Sequence, residues 1–177
     1  AAWCLCRSYF TAAARWNVDR NSALLVPNDH MRSERNPDAT WHSAYLPLLC
    51  SLARQLADLG FVPRILNHEG AADAALCESL RAATGGAEVI TETDPRDLKG
   101  IIGAAGLVVC SRYHGCVSAL AQGVPCLGTS WSHKYAALFD EFGVAGYLLD
   151  TCDENVATAA LHRLAAEPKG RSNAACR

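Results

Sequence analysis

The chain has 177 residues, of which 50% are hydrophobic, and its formal net charge at pH 7 is −2. This hydrophobic content predicts a folded globular domain and excludes an intrinsically disordered chain. The near-neutral charge gives no electrostatic reason to expect nucleic acid as a partner, and no apolar run reaches the length of about 18 residues that a membrane-spanning helix needs.

The two ends of the chain differ from its middle. Residues 1–21 are interpreted as a leftover N-terminal segment or linker, residues 22–168 as a Rossmann-like α/β domain, and residues 169–177 as a frayed tail. The first residue is Ala1 rather than Met, which agrees with an excised or processed chain. The N-terminal segment could be mistaken for a signal peptide, but Cys6-Arg7-Ser8 interrupts its apolar stretch.

Apolar strands alternate with amphipathic helices along the domain. Strands are predicted at residues 22–26, 61–66, 88–91, 107–109, 124–128 and 147–149, and helices at residues 41–59, 71–83, 94–105, 115–121, 135–142 and 155–166. Strict alternation favours an open parallel sheet of about six strands with helices on both faces, joined by right-handed crossovers. The sequence therefore predicts a Rossmann-like α/β fold.

Polar residues follow the first two strands at the ends where ligands bind in such sheets. Asn28 follows the first strand, and His68 and Glu69 follow the second. His68 and Glu69 could form a general base with its orienting carboxylate, or Asp73 could pair with the imidazole. A purely structural role is the alternative for both, and it is the favoured one for Glu69.

The most informative stretch begins where the strand at residues 107–109 meets the next helix. The motif Ser-Arg-Tyr-His-Gly occupies residues 111–115. Backbone N–H groups at a helix N-terminus favour an anion, and Arg112 and His114 would add charge-assisted hydrogen bonds to its oxygens. Gly115 would let a ligand or a second backbone come close.

A second cationic pair follows the next strand, at residues 124–128. His133 and Lys134 are expected at the same edge of the sheet as Arg112, so the sequence predicts an anion site there. The alternative is that Arg112 pairs with one of the 18 acidic residues and that His114 only caps a helix.

The nine cysteines include no paired Cys-x-x-Cys motif. Cys110, Cys116 and Cys126 lie in or beside apolar segments, where a free cysteine behaves as a small hydrophobic residue. Reduced thiols and a cytoplasmic location are expected, and a disulfide framework is the alternative. The sequence contains no dinucleotide fingerprint, no phosphate-binding loop and no ligand cluster with metal-site spacing, so neither a cofactor nor a metal is predicted.

The motif at 111–115, together with Gly123-Val124-Pro125, Lys134-Tyr135 and Phe142-Gly143, resembles the C-terminal part of the polysaccharide pyruvyl transferase family over roughly residues 22–150. The resemblance implies a fold similar to one half of a GT-B glycosyltransferase. It also implies transfer of a pyruvyl group from phosphoenolpyruvate to a sugar as a cyclic ketal, with the Arg and His of the motif binding phosphoenolpyruvate. Members of the family carry a further N-terminal domain, for which 177 residues leave no room.

These observations give a set of candidate site residues. His114 is the candidate proton donor to the methylene carbon or the bridging oxygen of phosphoenolpyruvate, and His68 is a weaker acid or base candidate. The candidate substrate-binding residues are Asn28, Ser111, Arg112, Tyr113, Gly115, His133 and Lys134. The expected partners are phosphoenolpyruvate and a sugar acceptor. There are two alternatives. One is half of a nucleotide-sugar glycosyltransferase, but the helix after the motif has no acidic residue to accept ribose hydroxyls, which counts against it. The other is an inactive module that binds an anion or a sugar.

Overall fold

The sheet is the framework of the fold in the computed structural model, which describes residues 11–167. Its strands are β1 (Ser22–Val26), β2 (Val62–Asn67), β3 (Val89–Thr91), β4 (Leu107–Cys110), β5 (Cys126–Thr129) and β6 (Leu148–Leu149). All neighbouring strands pair in parallel, in the order β3-β2-β1-β4-β5-β6. The predicted parallel α/β sheet is therefore confirmed.

The helices that connect the strands also follow the predicted pattern. They are α1 (Thr40–Asp58), α2 (Ala74–Ala83), α3 (Pro95–Ala104), α4 (Tyr113–Ala121), α5 (Lys134–Glu141) and α6 (Glu154–Ala166), with short 3-10 helices at Asp29–Arg32, Gly70–Ala72 and Ala145–Tyr147. The predicted limits differ from these by a few residues at most. The largest difference is at the start of α2, because the 3-10 turn ends at Asp73 before the α-helix begins.

The strand order places helices on both faces of the sheet. The chain moves outward from β1 to β2 and β3, and then returns to the other side of β1 with β4, β5 and β6. Right-handed crossovers in these two directions put their helices on opposite faces. Accordingly, α1 packs against α2 and α6, whereas α3 packs against α4.

Local sequence signals explain where individual helices begin and end. Asp94 is the N-cap of α3, with its side chain accepting a 2.8 Å hydrogen bond from the backbone N–H of Arg96, and Pro95 is the first helical residue. Gly60, after α1, has a φ of +85°, a conformation that favours glycine at the end of a helix.

The core lies on both sides of the central strands. Every residue of β1 and of β4 is buried, which explains why both strands are continuous runs without polar alternation. The largest fully buried side chains are aromatic and include Trp41, Tyr45, Tyr135 and Phe139.

The segment before β1 packs on this domain as far as the structure describes it. Residues 11–15 are helical, and Ala12, Ala13 and Val18 belong to the hydrophobic core. The indole N–H of Trp16 donates to a carboxylate oxygen of Glu92 at 3.2 Å. Residues 1–10 and 168–177, and with them the predicted tail, lie outside the described residues.

Six cysteines of the described part of the chain are free thiols: Cys50, Cys77, Cys110, Cys116, Cys126 and Cys152. Burial raises the pKa of the Cys116 thiol well above its ordinary value. Within residues 11–167, no helix is both long and apolar enough to cross a membrane. The same residues include no group of three or more His, Cys, Asp or Glu side chains that could hold a metal ion.

Candidate functional site

The candidate site lies where the direction of the strand order reverses. β1 and β4 are neighbours, with Val26 opposite Cys110, but the chain leaves them toward opposite sides of the sheet. The connections diverge at such a point and leave a crevice outside the carboxyl ends of the strands. Asn28 and Arg112 follow these two strands and therefore meet in the crevice.

A cavity of about 310 Å³ occupies this position, and we refer to it as the donor cavity after the role that we propose for it. Its wall consists of Asn28, His30, His68, Glu69, Arg112, Tyr113, His114, Trp131, Lys134 and Tyr135. These residues come from the segments that follow β1, β2, β4 and β5. The structure thus brings together six of the nine predicted site residues, all except Ser111, Gly115 and His133.

Arg112 is held by a buried carboxylate. Its Nε and Nη2 donate to Asp73 at 2.9 and 2.6 Å, and Asp73 is completely buried. The same carboxylate accepts the backbone N–H of Asp29 at 3.0 Å, which ties the loop after β1 to the pair. The remaining nitrogen of Arg112, Nη1, lies 3.8 Å from Glu69, which is too far for a hydrogen bond. Asp73 therefore pairs with Arg112 through two of the three guanidinium nitrogens. The third nitrogen, Nη1, is left for a ligand.

Ser111 lies beneath the donor cavity instead of in its wall. Its buried hydroxyl accepts hydrogen bonds from Tyr45 at 2.5 Å and Thr129 at 2.6 Å. Its carbonyl oxygen accepts from the side-chain amide of Asn28 and from the hydroxyl of Tyr135, both at 2.9 Å. Ser111 thereby joins the segments after β1, β4 and β5 at the floor of the site.

Gly115 has a packing reason for the absence of a side chain. A Cβ atom at this position would lie 2.6 Å from the thiol sulfur of Cys110. The group that comes close to Gly115 is therefore the end of β4. This close approach sets α4 directly against the strand that precedes it.

The N-terminus of α4 contributes donors to the site. Arg112 is its N-cap residue but makes no side-chain capping hydrogen bond, and the first helical hydrogen bond to its carbonyl comes from Cys116. The backbone N–H groups of the first turn, from Tyr113 to Gly115, precede that bond and have no carbonyl partner within the helix, which is the arrangement that favours an anion.

Lys134 lies among aromatic rings. Its ammonium nitrogen is 4.6 Å from the ring centre of Tyr113, 5.6 Å from that of Trp131 and 5.8 Å from that of Tyr135. These distances are within the range of cation–π attraction. Within residues 11–167, no carboxylate forms an ion pair with Lys134. Its charge is therefore positioned without being neutralised. His133, one residue earlier, is exposed and is the N-cap residue of α5.

Three imidazoles line the donor cavity. Burial lowers the pKa of His68, and Arg112 and His114 lower it further, although Glu69 opposes them. Burial also lowers the pKa of His30, whose Nε2 lies 2.9 Å from Arg35. His114 is exposed at the cavity wall. The site thus combines two imidazoles that favour the neutral form with one in contact with solvent.

Four residues of the wall were not among the predicted site residues: His30, Glu69, Trp131 and Tyr135. All four follow the ends of β1, β2 or β5. Their positions directly after strands are therefore the feature of the sequence that could have identified them as site residues. The sequence offers Asp73 as a partner of His68, whereas in the structure Asp73 pairs with Arg112.

The comparisons with known proteins bear on the family and on the fold. A sequence profile described as polysaccharide pyruvyl transferase matches residues 16–133, which include the motif at 111–115. No curated protein matches the sequence significantly. Among solved structures, the chain is similar to WaaG, a glycosyltransferase involved in lipopolysaccharide biosynthesis, with a TM-score of 0.55 and 15% sequence identity. The match covers 90% of this chain and 42% of that chain, and it shows the fold of part of a GT-B glycosyltransferase.

Proposed function

Because this chain belongs to the polysaccharide pyruvyl transferase family, we propose that its donor cavity binds phosphoenolpyruvate, the donor of a pyruvyl group to a sugar. The observation that carries the proposal is the convergence of Arg112, Lys134, His114 and the first turn of α4 on one cavity. Phosphoenolpyruvate carries a phosphate and a carboxylate and needs several such partners at once. A volume of about 310 Å³ suits a small ligand.

Each group has a distinct role in this proposal. Nη1 of Arg112 and the N–H groups at the start of α4 would bind one anionic group, and Lys134 would bind the other. The carboxylate of Glu69 lies 3.8 Å from Nη1 of Arg112, too far for a hydrogen bond. A ligand oxygen can therefore become the hydrogen-bond partner of Nη1. His114 would donate a proton to the methylene carbon or to the bridging oxygen as the phosphate leaves.

The charge balance of the site predicts proton uptake. Asp73 and Glu69 balance Arg112 and Lys134 in number of charges, although neither carboxylate pairs with Lys134, so a trianion gains most from a proton on His114, the candidate proton donor. Binding of phosphoenolpyruvate should therefore be tighter at lower pH, and protons should be taken up on binding.

Calorimetric titration of phosphoenolpyruvate tests the proposal. We expect saturable binding that weakens about tenfold in Lys134→Ala and in His114→Ala, a loss of about 1.4 kcal/mol each. His162→Ala is the matched control, because His162 is exposed on α6 and lies outside the cavity wall. Titrations in two buffers of different ionisation enthalpy measure the proton uptake.

A uridine diphosphate sugar serves as the competing ligand. The likeness to a glycosyltransferase makes it the relevant alternative, but α4 contains no acidic residue that could accept ribose hydroxyls. Preference for the nucleotide sugar would contradict the proposal. Binding of phosphoenolpyruvate without phosphate release in the presence of glycan acceptors would instead identify an inactive binding module.

A further inference from the structure

A second cavity of about 420 Å³ adjoins the donor cavity. Three residues, His68, Glu69 and His114, line both cavities and form the boundary between them. The rest of the second cavity consists of Thr93, Pro95, Leu98, Lys99, Val117 and Ser118. It therefore lies between α3 and the first two turns of α4.

The proposed reaction requires two substrates in contact. A cyclic ketal forms only when two hydroxyl groups of one sugar reach the same carbon of the pyruvyl donor. The acceptor must therefore lie directly beside phosphoenolpyruvate, and the second cavity shares a wall with the donor cavity.

The composition of the second cavity suits a neutral sugar. Pro95, Leu98 and Val117 offer apolar surface for the C–H face of a sugar ring. Glu69 and Lys99 supply one charge of each sign, so the wall has no net preference for an ion. This combination of apolar surface and a few polar groups is typical of small-molecule sites.

Resting on the proposed function, we infer that the second cavity binds the acceptor sugar and that His68, at the boundary, accepts the proton of the attacking hydroxyl. Nδ1 of His68 is buried and has no hydrogen-bond partner among residues 11–167. It lies 3.7 Å from Glu69, whose carboxylate would stabilise the protonated ring. Buried polar atoms without partners are rare and call for an explanation. The lowered pKa keeps the ring neutral near pH 7, as a base requires.

The step balances in atoms and electrons without a redox partner. One hydroxyl oxygen forms a bond to C2 of phosphoenolpyruvate as His68 takes up its proton, while His114 donates a proton to the methylene carbon, which becomes a methyl group. Proton exchange with solvent afterwards returns both imidazoles to their starting forms. The second hydroxyl oxygen replaces the phosphate, which leaves with its bridging oxygen and takes up the second hydroxyl proton. The products are a cyclic ketal and inorganic phosphate.

The test blocks the second cavity without touching the donor cavity. Thr93 is exposed in the wall of the second cavity alone, so Thr93→Trp would fill it. Thr91→Trp is the matched control, because Thr91 is also exposed and lines neither cavity. The probes are the methyl glycosides of glucose, galactose and mannose, added in the presence of phosphoenolpyruvate and followed by amide NMR shifts.

We expect at least one glycoside to shift the amide signals of Lys99 and Val117. Thr93→Trp should weaken this binding at least tenfold and change the affinity for phosphoenolpyruvate less than twofold, while Thr91→Trp should alter neither. Shifts confined to other regions, no glycoside binding at all, or an unaffected Thr93→Trp variant would overturn the inference. Failure of the wild-type chain to bind phosphoenolpyruvate would instead count against the proposed function.

The role of His68 has its own measurement. Phosphate release in the presence of a bound glycoside should fall at least about 100-fold in His68→Gln, the lower limit of general base catalysis. Both ligands should still bind to this variant. Unchanged phosphate release would overturn the assignment of His68 as the base.

Discussion

At the scale of single residues, the position of Arg112 depends on a carboxylate that solvent does not reach. Asp73 binds two nitrogens of the guanidinium group and also accepts a backbone N–H from the segment after β1. A bidentate pair fixes the plane of the guanidinium group as well as its charge. The orientation of Nη1 at the donor cavity therefore depends on Asp73.

Replacement of Asp73 by asparagine removes the charge but keeps the shape. We expect stability to fall by roughly 3–5 kcal/mol, because removal of one partner leaves a buried charge uncompensated. The affinity for phosphoenolpyruvate should fall at least tenfold as Arg112 loses its fixed orientation. Urea unfolding and calorimetry measure the two effects.

Glu78→Gln is the control for Asp73→Asn. Glu78 pairs with Arg81 on the exposed surface of α2, where solvent screens the ion pair, so its loss should change stability little. An Asp73→Asn variant that folds and binds phosphoenolpyruvate as tightly as the wild type would show that Asp73 has only a structural role.

The lowered pKa of His68 predicts a pH dependence of stability. Burial disfavours the protonated ring in the folded state, whereas the unfolded chain binds the proton near the ordinary pKa of 6.5. The unfolded state thus binds more protons, and the free energy of unfolding should decrease as the pH falls from about 7.5 through 6.5. His68→Gln should weaken this dependence, and the contribution of His30 should remain. A profile from chemical unfolding that is identical in both proteins would contradict the prediction.

At the scale of elements, the junction of β4 and α4 organises the site. Ser111 connects this junction to the segments after β1 and β5, and Gly115 lets α4 approach β4. Both residues shape the site from outside the cavity wall. Substitution of either residue should therefore lower the free energy of unfolding before it affects ligand binding directly.

Ser111→Ala should destabilise the protein by about 1–3 kcal/mol, because the hydroxyls of Tyr45 and Thr129 lose a buried acceptor. Thermal and urea unfolding measure this loss. Ser79→Ala is the control, since Ser79 is exposed on α2 and bonds only to a carbonyl of its own helix. A stable Ser111→Ala variant that has lost only ligand affinity would point to direct contact between Ser111 and the substrate.

Gly115→Ala should cost about 1–3 kcal/mol through overpacking against Cys110. The same substitution in a Cys110→Ala background should cost less, because the smaller side chain removes the clash. The coupling free energy from this double-mutant cycle, measured by urea unfolding, checks the geometry. Equal costs in the two backgrounds would mean that the thiol is not the limiting contact.

At the scale of the whole molecule, the strand order creates the site. The donor cavity is lined by residues from four segments that follow four different strands. Parallel pairing places the carboxyl ends of these strands at the same edge of the sheet. A ligand bound there contacts segments from both sides of the reversal in strand order. Binding should therefore stabilise the domain as a unit.

Phosphoenolpyruvate should raise the melting temperature of the chain. A ligand at 100 times its Kd adds about 2.7 kcal/mol to stability, which corresponds to roughly 5–10 °C for a domain of this size. Differential scanning calorimetry checks the shift, with inorganic phosphate and pyruvate as partial ligands. A shift as large with phosphate alone would show that the carboxylate of phosphoenolpyruvate is not recognised.

The sequence by itself determined the alternation of strands and helices, the parallel sheet and the placement of Arg112, His114 and Lys134 at one edge. These features follow from local periodicity and from the rule that parallel strands end on the same side. The tertiary structure alone decided that Asp73 pairs with Arg112, 39 residues away, and that Ser111 lies beneath the cavity. It also decided that His68 separates two cavities. Such contacts depend on strand register and on the direction of each side chain, which no local pattern in the sequence encodes.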